Sequence, residues 1–77
     1  MYYVYVLKNP NNSYIYIGYS NNLKRRMDEH RFDKAGWKLV YYESYLSETD
    51  ARKREKKLKD YGSSLGHLRK RLKNSLE

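Results

Sequence analysis

The sequence predicts an α+β protein with three strands and three helices in the order β-β-α-β-α-α. Three observations carry that reading. Residues 2–8 and 14–19 are short runs of β-branched and aromatic side chains on either side of an Asn/Pro/Ser-rich turn, which favours a hairpin. Residues 37–45 form a third run of the same kind. The remaining stretches show helical spacing behind helix-start residues.

In the first strand Tyr3, Tyr5 and Leu7 share a face. In the second, Tyr14, Tyr16 and Gly18 lie opposite Ile15, Ile17 and Tyr19. Tyr5 and Tyr16 can therefore present their hydroxyls together. Each tyrosine could equally well only pack. The first helix should span 21–31, capped by Ser20, Asn21 or Asn22. At about 100° per residue, Leu23 and Met27 face inward, flanked by Arg26 and His30, while Lys24 and Arg25 point away. By itself, His30 reads as a boundary residue or a cation near the helix C-terminus. Residues 32–36 should be a loop. In the third strand Trp37, Leu39, Tyr41, Glu43 and Tyr45 should alternate with Lys38, Val40, Tyr42 and Ser44.

Ser47 and Asp50 have capping-box spacing, so a helix should start there and stop at Tyr61-Gly62. Its apolar stripe is thin: Ala51, Leu58 and Tyr61. Glu55 lies on that stripe. It is either an ion-pair partner of Arg52, Lys56 or Lys59, or a carboxylate turned toward a site and able to hold a hard cation such as Mg2+. A last helix, 64–75, should follow the Ser63-Ser64 cap, with Leu65, Leu68, Leu72 and Leu76 at helical spacing.

The 77 residues fit a single domain, 1–77, near the lower size limit for a self-supporting core. There is no cysteine, so disulfides and thiolate metal sites are excluded. The core must come from aromatics and aliphatics, with many of the ten tyrosine rings half-buried and their hydroxyls at the surface or in a site. The formal charge is +8, and residues 51–74 carry all of it, with ten basic and two acidic side chains. That stripe points to a polyanion partner, most simply nucleic acid, rather than to a solubilising surface alone. No apolar run approaches the ~20 residues of a membrane span, and the N-terminus has no signal-peptide pattern. The expected location is cytoplasmic.

The ordered set Tyr3-Val4-Tyr5, Tyr16-Ile17-Gly18, Arg26, His30 and Glu55 resembles the GIY-YIG nuclease superfamily. Within it, the chain is similar to small single-domain members close to the excision-repair nuclease N-terminal domain. Each short motif is weak alone. Their order, with gaps of 11, 10, 4 and 25 residues, is much more specific. The resemblance implies a three-stranded antiparallel sheet flanked by helices. It also implies a metal-dependent endonuclease acting on nucleic acid, with DNA as the expected substrate and DNA repair as a setting. Tyr5, Tyr16, Arg26 and His30 would be catalytic, with Tyr16 favoured over Tyr5 for activating water. Glu55 would hold one divalent ion, Mg2+ or Mn2+. Lys56, Lys59, Arg69 and Lys70 of the basic stripe would bind the nucleic acid.

The sequence departs from the family pattern twice. The first motif reads Tyr-Val-Tyr in place of Gly-Ile-Tyr, which keeps the last tyrosine. A late asparagine found in many members has only Asn74 as a counterpart, on the side of the last helix away from its leucines, so that role is not carried over. Two rivals stand beside the enzyme reading. One is a non-catalytic nucleic-acid-binding module with the same fold; the other is an interaction protein in which these residues only pack.

Overall fold

The computed structural model describes residues 1–60 and 62–77. It contains β1 (Tyr2–Lys8), β2 (Ile15–Ser20), α1 (Leu23–Asp33), β3 (Lys38–Tyr45), α2 (Glu48–Lys59) and α3 (Ser63–Arg71). The strands form one antiparallel sheet in the order β2-β1-β3. The expected class and element order are those observed.

The central strand is the most apolar run of the chain, and Val4, Tyr5, Val6 and Leu7 are all buried. Its alternation divides the molecule into two layers. Val4 and Val6 face the main core with Ile17, Ala51, Leu58, Leu65 and Leu68, so α2 and α3 cover that side. Each of these leucines contributes about 1.5–3 kcal/mol by leaving water. Tyr3, Tyr5 and Leu7 point to the other face, where α1 lies.

Strict alternation fails in β3. Val6 pairs with Tyr41 but Leu7 pairs with Leu39, so Val40 is an extra residue in a bulge. Val40, Tyr41 and Tyr45 consequently all pack against the α2/α3 core. Leu39 moves to the side of Leu7. A pattern of period two cannot reveal a bulge, because the extra residue leaves both half-strands looking regular.

Several boundaries differ from expectation. β2 starts at Ile15, leaving Tyr14 outside and exposed, and β3 starts at Lys38, leaving Trp37 in the preceding turn. Asn22 is the α1 cap, its side chain accepting from the Arg25 N–H at 3.0 Å. That helix runs through Phe32 and Asp33, which are not loop, and Gly36 with φ 82° makes the turn beyond it. Ser47 caps α2 as expected. Gly62 caps the start of α3 with φ −89°, rather than stopping α2 in a left-handed conformation. The α3 helix ends at Arg71; residues 72–76 are turns. Tyr61 lies outside the described residues. Among those described, no helix is long and apolar enough to cross a membrane.

Candidate active site

The residue at the centre of the α1 face is Tyr5. Its register partners are Gly18 on β2 and Tyr42 on β3. The Tyr5 ring leans over Gly18, where a side chain would have collided with it. This places the Tyr5 hydroxyl within reach of α1.

Two α1 residues one turn apart converge on that hydroxyl. His30 Nε2 lies 2.8 Å from it, and the Arg26 Nε–H donates to it at 3.4 Å. Tyr16 stands diagonally across from Tyr5, with ring centres 6.2 Å apart, and meets the His30 ring edge-on at 5.5 Å. Lys34 Nζ covers the Tyr16 ring at 4.3 Å. Arg25 instead turns outward to Asn21 and Glu29. Helical phase alone therefore selected the arginine that reaches Tyr5.

The members differ in access. Tyr5 has 0% of its surface exposed and His30 is buried, whereas the Arg26 side chain is 40% exposed. Tyr16 is half-buried. Burial raises the Tyr5 phenol above its ordinary range, and the Arg26 hydrogen bond lowers it only in part. Tyr5 is therefore a neutral phenol at neutral pH. The Tyr5 hydrogen bond in turn raises Arg26, which stays a cation throughout.

Asp33, absent from the sequence-based set, completes this corner. Its Oδ1 lies 3.0 Å from His30 Nδ1. The signal was present, since Asp33 follows His30 by three residues on one helix flank. Ending the helix at residue 31 hid it.

Glu55 comes from the opposite layer. It shares one flank of α2 with Glu48, Arg52 and Lys59, and this flank runs beside the β2 edge. At one end the Tyr19 hydroxyl donates to Glu48 at 2.7 Å, and Arg52 stacks on Tyr19 at 4.3 Å. At the other end Lys59 shares a cavity with Ile15, Tyr16 and Ile17. Glu55 stands between these anchors with its side chain 19% exposed, and Oε2 pairs with Lys59 at 3.1 Å. Among the described residues, no hydrogen bond links it to Tyr5, Arg26 or His30.

No three His, Asp or Glu side chains among the described residues gather to hold a metal. Glu55 is nevertheless compatible with Mg2+, which keeps most of its water and binds through one or two carboxylates plus a phosphate. Its pairing with Lys59 engages Oε2 and leaves Oε1 as the second oxygen of the carboxylate.

Cationic side chains stand beside this corner and, in the opposite layer, over α2 and α3. Arg25, Arg26 and Arg52 line one cleft of about 240 Å³ with Tyr19, Ser20, Asn21 and Glu48. Lys56, Lys59, Arg69 and Lys70 are exposed on α2 and α3. Asn74 is exposed beyond the end of α3. A larger depression, about 690 Å³, lies on the other flank of α1 and touches none of Tyr5, Tyr16, Arg26 or His30.

A second cluster missed in the sequence lies under the sheet. Glu43 accepts from Arg54 Nε and Nη2 at 3.0 Å, from Tyr41 at 2.6 Å and from Tyr45. With both carboxylate oxygens engaged, it is a structural clamp between β3 and α2.

Comparison with known proteins points the same way. A family model described as GIY-YIG catalytic domain matches residues 1–70. A UPF0213 protein of Limosilactobacillus reuteri is 35% identical over 91 aligned positions, covering 90% of this chain and 94% of that protein. No solved structure matches the chain significantly.

Proposed function

The chain belongs to the GIY-YIG catalytic-domain family, and on that footing we propose that it is an endonuclease hydrolysing phosphodiester bonds in DNA. The observation that supports this most is the convergence of Arg26 and His30 on the Tyr5 hydroxyl, with Tyr16 at the open side. A packing role does not require a guanidinium and an imidazole on one buried phenol.

Each residue then has a distinct task. Arg26 is a planar, permanent cation, part exposed and sharing its Nη1 with Glu29 at 3.5 Å, and its fork is suited to a phosphate whose charge grows in the transition state. Tyr16 is the phenol that solvent can reach, so it positions the attacking water. Tyr5 is protonated at rest and needs an acceptor, which His30 Nε2 supplies at 2.8 Å. The pair thus offers a buried sink for a proton arriving through Tyr16. Glu55 would hold a divalent ion, Mg2+ or Mn2+, which when bound neutralises charge on a phosphate oxygen. The Arg25–Arg26–Arg52 cleft and the Lys56, Lys59, Arg69 and Lys70 surface receive the flanking backbone.

One observation favours the rival binding module. The Glu55 carboxylate already has a cation, Lys59. A nicking assay with Mg2+ and Mn2+ on wild type and Glu55→Gln separates the two. Nuclease chemistry predicts metal-dependent nicking that the variant loses, with melting temperature and nucleic-acid binding retained. Binding without nicking in the wild type, or undiminished nicking by the variant, would sink the assignment.

A further inference from the structure

We infer that Asp33 is a positioning residue: it holds His30 in the Nδ1–H tautomer, so that Nε2 presents a lone pair to the Tyr5 hydroxyl. The inference rests on the nuclease reading of the same corner but assigns a residue outside the family set. It stands on the two partners of one imidazole, 3.0 Å from Nδ1 to Asp33 Oδ1 and 2.8 Å from Nε2 to the Tyr5 hydroxyl.

Donors and acceptors around the ring decide the tautomer. A carboxylate only accepts, so the ring nitrogen facing Asp33 carries a hydrogen. In a neutral imidazole the other nitrogen is then an acceptor, and Tyr5 donates to it. The Tyr5 oxygen keeps its lone pairs for the Arg26 Nε–H. The hydrogen bond from His30 holds the Asp33 carboxyl below its ordinary range, so the partner is a carboxylate at neutral pH. The other groups near the ring are consistent with this. Tyr16 meets the ring in a T-shaped contact, and Arg31 and Lys34 are cations that line a cavity of about 250 Å³ together with His30. None of them is an acid that could substitute for Asp33.

When Tyr5 gives up its proton, the O–H bond breaks and an N–H bond forms at Nε2. The ring is then an imidazolium with both nitrogens protonated, and the Asp33 carboxylate balances its charge. The phenolate left behind faces Arg26. With the Nε2–H tautomer, the ring would instead donate to Tyr5 and could not take its proton.

The test is nitrogen-15 NMR of the His30 ring together with nicking, for wild type, Asp33→Ala and Asp33→Asn. Asp33 has a side chain 64% exposed, so Asp33→Ala should melt as wild type does. The wild type should show the Nδ1–H pattern. Asp33→Ala should move it toward Nε2–H and slow nicking by about 10- to 100-fold. Asp33→Asn carries an NH2 that can donate to Nδ1 as well as an oxygen that can accept, so it no longer selects the Nδ1–H tautomer and should be slowed like Asp33→Ala. An Nε2–H pattern in the wild type, or an unchanged pattern in Asp33→Ala, overturns the inference. A wild type that never nicks overturns the nuclease reading instead, and the tautomer spectra then decide the Asp33 role alone.

Discussion

The Tyr5 ring occupies the space that a side chain at residue 18 would fill: a Cβ on Gly18 would stand 2.3 Å from Tyr5 Cζ and 2.4 Å from its hydroxyl. The two are direct register partners on β1 and β2. The glycine of the second motif therefore exists for the tyrosine of the first. It lets Tyr5 lie flat over the sheet, where Arg26 and His30 can reach its oxygen.

Gly18→Ala tests this relationship. Gly18 is not in a left-handed conformation, so alanine fits the backbone and on chain entropy alone should stabilise by about 0.4–1 kcal/mol. The collision with a packed ring reverses the sign, and a net loss of about 1–3 kcal/mol is expected. Denaturant midpoints measure the loss, and the Tyr5–His30 hydrogen bond, followed by NMR, should break. A more stable variant with that bond intact would refute the steric account.

Arg26 and Arg25 are neighbours with opposite expected outcomes. Arg26→Ala removes the guanidinium bonded to Tyr5 and should reduce cleavage by at least about 100-fold, the scale of a missing transition-state donor. Arg25→Ala removes a side chain that faces solvent and Glu29 and should leave turnover at saturating substrate largely intact. Single-turnover rates on one substrate compare them. Arg25 proving essential would mean the working helix phase differs.

The Glu43 clamp makes a pH prediction with two limbs. Burial opposes Glu43 ionisation, but bonds from Arg54, Tyr41 and Tyr45 outweigh it and hold the carboxyl below its ordinary range. Its stabilising contribution is therefore complete above the unfolded value of 4.5 and is lost as pH falls through the lower folded value. Tyr45 is pushed up to about 12, first by burial and then by its bond to Glu43. That contribution is complete below pH 10.0 and is lost as pH rises through about 12. Urea midpoints measured from strongly acidic to strongly alkaline pH should fall on both sides. Glu43→Gln should lower the plateau by about 2–3 kcal/mol, remove its share of the acidic limb and make the alkaline limb shallower, with the burial part of the Tyr45 shift left in place. Unchanged limbs would place the titration elsewhere.

Nucleic-acid affinity should fall steeply with salt, because the net charge sits on residues 51–74. Lys56, Arg69 and Lys70 are exposed. Reversing all three should weaken binding for every sequence alike. The logarithmic salt slope should shrink by about 0.9 for each phosphate that is no longer neutralised. An unchanged slope would show that the nucleic acid docks on another face.

Local rules carried the sequence a long way. Element order followed from residue type and periodicity, and helical phase picked Arg26 over Arg25, since both depend on neighbours within one or two turns. The helix ends were less legible. Phe32 and Asp33 extend α1 because the turn at Gly36 lies farther on, and Gly62 starts a helix rather than ending one.

What tertiary structure alone decided involves residues far apart in the chain. The strand order β2-β1-β3 makes β1 central and sets Gly18 against Tyr5, and no local pattern encodes either. The bulge at Val40 depends on how β3 pairs, not on what β3 contains. Glu43 looked like one more polar residue in an alternating strand until Arg54, 11 positions later, closed over it. Tyr5 and His30 meet across 25 residues. Such pairings are fixed by packing and register, which sum weak preferences over the whole molecule. Residue type and spacing singled out Tyr5, Arg26 and His30 as candidates; the fold brought their atoms together and added Asp33 beside them.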